Sequence, residues 1–184
     1  MFDGALRLCL VASIASIGAG LPFIGCSSAD HANPGTNGTW TDPSTQLVWQ
    51  DPPFTTKRNW NDSVSACDAL VLGDYGDWRL PTIDELRTLA RGCAATVTGG
   101  ACAVSTKCLE SSCGDSVCQG CEEYGGPAAD GAYRIPSLTG DFMTTWSSSV
   151  APDVVDQVWT VGFGGCHVLL YPKSRDDLNV RCVR

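Results

Sequence analysis

The sequence predicts an α+β fold, an antiparallel β-sheet and meander with two helices and a disulfide-rich insertion. Three observations lead there. Apolar and polar residues alternate with a period of two near both ends of the folded part. Between those ends, two segments repeat apolar residues at helical spacing. Six cysteines crowd residues 93–121, where large apolar side chains are almost missing. The order of hairpin, two helices, cross-linked insertion and meander is that of a domain whose helices are segregated from an antiparallel sheet.

Each element has its own signal. In "GTWTDPSTQLVWQDPPF" the turn residues Asp42-Pro43-Ser44-Thr45 separate Trp40 from Leu47-Val48-Trp49, which makes a hairpin. In "RNWNDSVSACDALVLG" the residues Trp60, Val64, Cys67 and Leu70/Val71 recur at helical spacing, with Asn59 or Asn61 as cap and Gly73 as stop. Trp78-Arg79-Leu80 is short and extended. A second helix follows, with Ile83, Leu86, Leu89 and Ala90 facing inward and Gly92 ending it. At its start, Thr82 and Glu85 match the S/T-x-x-E capping box, and Asp84 and Glu85 suit the positive end of the helix dipole. Those carboxylates are accounted for by helix chemistry. Beyond the cysteines, Thr144–Ser148, Val158–Phe163, His167–Tyr171 and Val180–Val183 are four short strands, with Gly164-Gly165 as a hairpin turn. Trp40, Trp49, Trp60, Trp78 and Trp159 are expected in the core.

The chain has 184 residues, enough for one domain and a leader, and a net charge of −8. That charge, with no basic cluster larger than Lys57-Arg58, excludes nucleic acid and argues against docking of the folded part on an anionic membrane. Arg7, the apolar run Leu8–Ile17 and then small residues with Pro22 have the anatomy of a secretory signal over residues 1–25. Gly18, Gly20 and Pro22 interrupt the run short of the ~20 apolar residues that a membrane span needs. "FIGCSS" resembles a bacterial lipobox, with Phe23 where leucine is usual, and implies that Cys26 is lipidated. The expected organisation is a signal (1–25), a lipid-anchored flexible linker (26–38) and a domain (39–184) with a cysteine-rich insertion (93–140). The protein is then exported, as an outer-membrane or cell-surface lipoprotein that meets the membrane only through its N-terminal lipid.

Of eleven cysteines, Cys9 leaves with the signal and Cys26 carries lipid, so nine remain and the odd one is free, paired between chains or bound to something else. Cys93, Cys102, Cys108, Cys113, Cys118 and Cys121 sit where cross-links must replace a missing core. Cys118-Gln119-Gly120-Cys121 could instead be half of a zinc site or a redox pair. Export favours disulfides, and no apolar strand precedes Cys118 to build a redox site. The pairing of the six is open, and Cys166 is a candidate for the odd thiol. No cofactor or metal is expected.

Few residues suggest chemistry. Cys166 and His167 are neighbours on a strand and point to opposite faces, so they do not form a nucleophile and base. Trp146, Ser147 and Ser148 offer an aromatic plate and hydroxyls, and are the ligand-binding candidates. Asp153, Asp156, Asp176 and Asp177 lack the D-x-D-x-D-G spacing of a calcium loop. His31 lies in the linker.

Five ordered motifs, "TDPSTQLVWQD", "YGDWRLPTIDEL", "WSSS", "VWTVGFGG" and the terminal "VRCVR", resemble the Lcl C-terminal domain family, named for a Legionella collagen-like adhesin. The resemblance covers residues 39–184, and the insertion after "LARGC" resembles a cysteine-rich variant. It implies a surface-exposed, non-enzymatic binding or adhesion module, with an extracellular glycan or a surface protein as partner. The namesake's sulfated-glycan ligand does not suit an acidic chain. A looser resemblance is to C-type-lectin-like domains and formylglycine-generating enzymes. It implies a bridge from the first helix to the last strand, which maps onto Cys67 and Cys182. The lectins' calcium motifs are missing where expected, and Trp60-Asn61-Asp62 falls at a helix start. The alternatives are an enzyme related to the formylglycine fold, for which Cys166 and Cys182 are the only cysteines in position, and a structural envelope protein that binds another protein.

Overall fold

The computed structural model describes residues 37–184. The expected signal, Cys26, His31 and the linker up to residue 36 lie outside the described residues. Strands β1 (Thr39–Thr41) and β2 (Val48–Gln50) form an antiparallel hairpin with Trp40 opposite Trp49. Its turn is held by the buried Asp42, whose carboxylate accepts from the Ser44 amide and the Thr45 hydroxyl. Helices α1 (Trp60–Asp68) and α2 (Ile83–Leu89) follow, then the insertion, then β3 (Thr144–Val150), β4 (Gln157–Gly162) and β5 (His167–Pro172), an antiparallel sheet in chain order. Among the described residues the fold is therefore α+β, with two helices and two antiparallel sheets.

Both helices start as their sequences dictate. Asn59 caps α1, its side chain accepting from the Asp62 amide. Thr82 and Glu85 form the full capping box of α2. Their ends come earlier than expected. Helix α1 stops at Asp68, and Gly73 with Asp74, both at positive φ, instead makes a tight turn closed by Leu72 and Tyr75. Helix α2 stops at Leu89 because Ala90 is extended and bridges Arg134, so tertiary pairing ends it before Gly92.

The side chains of β4 alternate between two apolar clusters. Trp159 and Val161, together with Val168 of β5, meet Ile83, Leu86 and Leu89 of α2, the tryptophans of the hairpin and the insertion. Val158 joins Trp146, Trp78, Leu80 and the Cys67 end of α1. Trp60 is half-buried at the edge of this second cluster rather than fully inside it. Residues 180–183 do not extend the meander as a fourth strand. They run between β2 and the Trp78–Leu80 segment, with Val183 bridging both Trp49 and Arg79. This position matters for the disulfide that follows: Cys182 is bonded to Cys67, with their Cα atoms 5.6 Å apart.

The insertion contains only two short 3₁₀ turns, Ser111–Cys113 and Ser116–Gln119. Its disulfides are nested. Cys93–Cys121 encloses Cys102–Cys118, which encloses Cys108–Cys113. The two halves of Cys118-Gln119-Gly120-Cys121 thus bond to different partners, and among the described residues the free thiol is Cys166. Buried arginines complete the attachment. Arg87 of α2 donates to the carbonyls of Thr96, Val97, Cys102 and Val104. At the far end of the insertion, Arg134 and Arg181 stack on Phe142, their guanidinium carbons 4.4 and 4.3 Å from the ring centroid. Arg181 also donates to Gln50 O, Thr139 O and Asp51. Burial pulls its pKa down to about 10, against the attraction of Asp51.

Candidate functional site

The expected ligand-binding trio is largely internal. Trp146 is fully buried and its indole N–H donates to Arg58 O at 2.8 Å. Ser147 is fully buried and its hydroxyl donates to Trp159 O. Ser148 is exposed, and both its amide and its hydroxyl donate to Pro81 O. Ser149 accepts from the Ile83 amide at the start of α2. The serine run sits where the register of β3 on β4 shifts. There the Ser148 and Ser149 hydroxyls reach the start of α2 and fasten helix to sheet, while the Ser147 hydroxyl stays within the sheet.

The other sequence candidates are also dispersed. Cys166 is buried, burial pushes its thiol up, and it sits at positive φ in the β4–β5 turn. Cys182 is consumed by Cys67. No cysteine pair of the formylglycine kind forms from Cys166 and Cys182. The two ring nitrogens of His167 are taken by Gln119 O and, at 2.7 Å, by Glu123. The carboxylate of Asp153 accepts two backbone bonds and a hydroxyl bond from Ser111, which hold its pKa low. Asp177 is paired with Arg175. Among the described residues no group of three or more His, Cys, Asp or Glu is placed to hold a metal ion.

What the fold does assemble is an open polar depression of about 470 Å³ at the start of α1, lined by Asn59, Asn61, Asp62, Asp156, Lys173 and Ser174. Three separate pieces of chain build it, locked by main-chain bonds: Trp60 N to Lys173 O at 3.1 Å and Lys173 N to Asp156 O at 2.8 Å. Asp156 holds its turn with φ 56°, a conformation in which Asp is tolerated. Asn59 is spent on the cap and on the Asp62 carboxylate. By contrast, the side chains of Asn61, Asp156 and Ser174 are exposed and make no hydrogen bond within the described residues. Beside them the Lys173 ammonium lies 4.6 Å from the Trp60 ring centroid, and the Trp60 indole N–H is fixed on Ser147 O.

This set contains amides, a hydroxyl, carboxylates, one ammonium and an indole, and among the described residues no hydrogen bond joins the Ser174 hydroxyl to a carboxylate. It can bind a polar ligand through several hydrogen bonds. Of its residues, Asp156 was weighed from sequence as a calcium ligand and set aside, as were Asn61 and Asp62. Asn61 and Asp62 were absorbed into a helix start, and Lys173 and Ser174 carried no signal of their own. No local signal links the three segments. A second hollow, about 430 Å³, lies between the hairpin turn and the end of α2; Arg87 lines it, but its donors go to the four carbonyls.

Comparison with known proteins agrees with this frame. The family model described as Lcl C-terminal domain matches residues 38–184. Neither the curated proteins nor the solved structures gave a match. The matched span runs through the hairpin, both helices, the insertion, the sheet and the bridged C-terminus, and the chain belongs to the Lcl C-terminal domain family.

Proposed function

We propose that this chain is a surface-exposed, non-enzymatic adhesion module of a bacterial lipoprotein, and that it binds an uncharged glycan in the depression at the start of α1. The observation that carries the reading is the set of uncommitted polar groups on Asn61, Asp156 and Ser174. They are presented by backbone fixed on three sides. Sugar hydroxyls both donate and accept, which suits mixed amide, carboxylate and hydroxyl partners. Pre-organisation lowers the ordering cost of binding. The acidic charge of −8 favours neutral over sulfated saccharides.

The test is a glycan and cell-wall array probed with the mature domain, followed by titration calorimetry on the best ligand. Asn61→Ala and Asp156→Ala should each weaken binding about fivefold or more. Equal binding by parent and double variant would remove the depression from the reading. Anchoring is tested separately: Cys26→Ala should move the protein from membranes to the soluble fraction. Identical fractionation, with no lipid mass on the parent N-terminus, would overturn the lipoprotein assignment.

A further inference from the structure

We infer that a second surface, formed by Tyr124 and Met143, docks a lysine- or arginine-bearing segment of another protein. Both side chains are large, apolar and exposed, at 57% and 45%, and their ends meet with the Tyr124 hydroxyl 3.8 Å from the Met143 sulfur. Between them a hollow of about 90 Å³ reaches Phe142, a size that fits one side-chain stem rather than a sugar ring. The exposure of Tyr124 is imposed by the fold. Its φ is 58°, unfavourable for a bulky residue. Its amide is tied to Gly164 O at 2.8 Å, and a Cβ on Gly131 would lie 2.4 Å from its carbonyl oxygen. A segment held so firmly presents its ring rather than hiding it.

The rim selects the partner. Asp130 and Asp141 line the hollow, and Glu122 and Glu123 adjoin Tyr124. Glu123 also meets His167. Against these four carboxylates stand Arg134, paired with Asp130, and Lys57, 3.7 Å from Asp141 on an exposed site; Arg181, stacked on Phe142, is buried and offset by Asp51. The fixed charge of the patch is therefore negative, as is that of the whole chain. An aromatic face and a thioether surrounded by carboxylates suit a cationic side chain, whose stem packs on the apolar floor while its head meets the rim. Charge complementarity thus names the occupant.

The full chain would be titrated against a short fluorescein-labelled peptide alternating glycine with lysine and arginine. The control peptide carries glutamine at each cationic position. Tyr124→Asn removes the ring at a position where Asn tolerates positive φ, and Met143→Ala trims the other wall. Neither changes net charge, and each should weaken binding about fivefold. Tyr124→Phe should bind like the parent, and Asp176→Asn, which removes a remote charge, should change affinity less than about twofold. Circular dichroism and thermal melts confirm that each variant is folded. If affinity follows net charge and ignores Tyr124, if the glutamine peptide binds equally well, or if sedimentation shows a Tyr124-dependent dimer, the inference is overturned.

Discussion

Helix α2 and the insertion that follows it share one apolar cluster, but they are held by different forces. Ile83, Leu86 and Leu89 of α2 are fully buried, and each contributes about 1.5–3 kcal/mol by leaving water. Between residues 93 and 121, Val104 is the only fully buried large aliphatic side chain. Order there comes from three nested disulfides and from Arg87, which gathers four carbonyls that lack sheet or helix partners. The difference teaches that a segment poor in apolar residues can still form a firm surface, provided that covalent bonds restrict the unfolded chain and one cation satisfies its backbone. Its stability is then local and depends on redox state, whereas that of α2 is shared with the sheet.

The strongest test of this contrast uses the Cys67–Cys182 bridge, which lies outside the insertion. Cys67→Ala opens a loop of 115 residues in sequence separation and should cost about 2–5 kcal/mol of global stability, read by denaturant unfolding. A loss confined to the insertion would break the comparison. Next, Arg87→Met should cost about 2–3 kcal/mol by orphaning buried carbonyls. Hydrogen exchange should show amides of residues 96–104 losing protection while β3–β5 keep theirs. A smaller effect, about 2 kcal/mol, is expected for joint replacement of Cys108 and Cys113 by Ala, since that bridge closes a loop of only five residues in separation. Limited proteolysis should then cut near residues 109–112 before any other site.

The smallest expected effect belongs to α2 itself. Thr82→Ala should cost about 1 kcal/mol through the lost cap. Glu85 adds a pH dependence. Desolvation acts to raise its pKa, but hydrogen bonds from Arg79 and the Thr82 amide outweigh this and bring it below the ordinary value of 4.5. Its contribution is complete above pH 4.5 and is lost as pH falls through the lowered value. Glu85→Gln should therefore narrow the gap to the parent below that pH. A constant gap from pH 3 to 7 would show that the carboxylate is not involved.

Much of this molecule was legible because its signals are local. A capping box needs four adjacent residues, so Thr82 and Glu85 declared the start of α2 without any tertiary information. Alternation over Val158–Phe163 assigned the strand, and burial shows that both its faces are covered. Helix ends were harder. Gly92 looked like a stop, but pairing of Ala90 with Arg134, distant in sequence, ended α2 first. The serines after Trp146 resembled a ligand surface because hydroxyls carry no mark of whether they will meet a sugar or a helix.

By itself, then, the sequence determined most of the elements, their order, the acidic character, and the reliance of residues 93–121 on cross-links, because propensity, periodicity, charge and cysteine count are properties of neighbours or of sums. The tertiary structure alone decided the nesting of the three disulfides, the carbonyl cage around Arg87, the place of residues 180–183 between β2 and Trp78–Leu80, and the meeting of Asn61, Asp156 and Ser174 around one depression. Each of these joins residues far apart in the chain. Such contacts depend on which packing of the whole chain buries the most apolar surface while satisfying its polar groups, and no window of neighbouring residues contains that comparison.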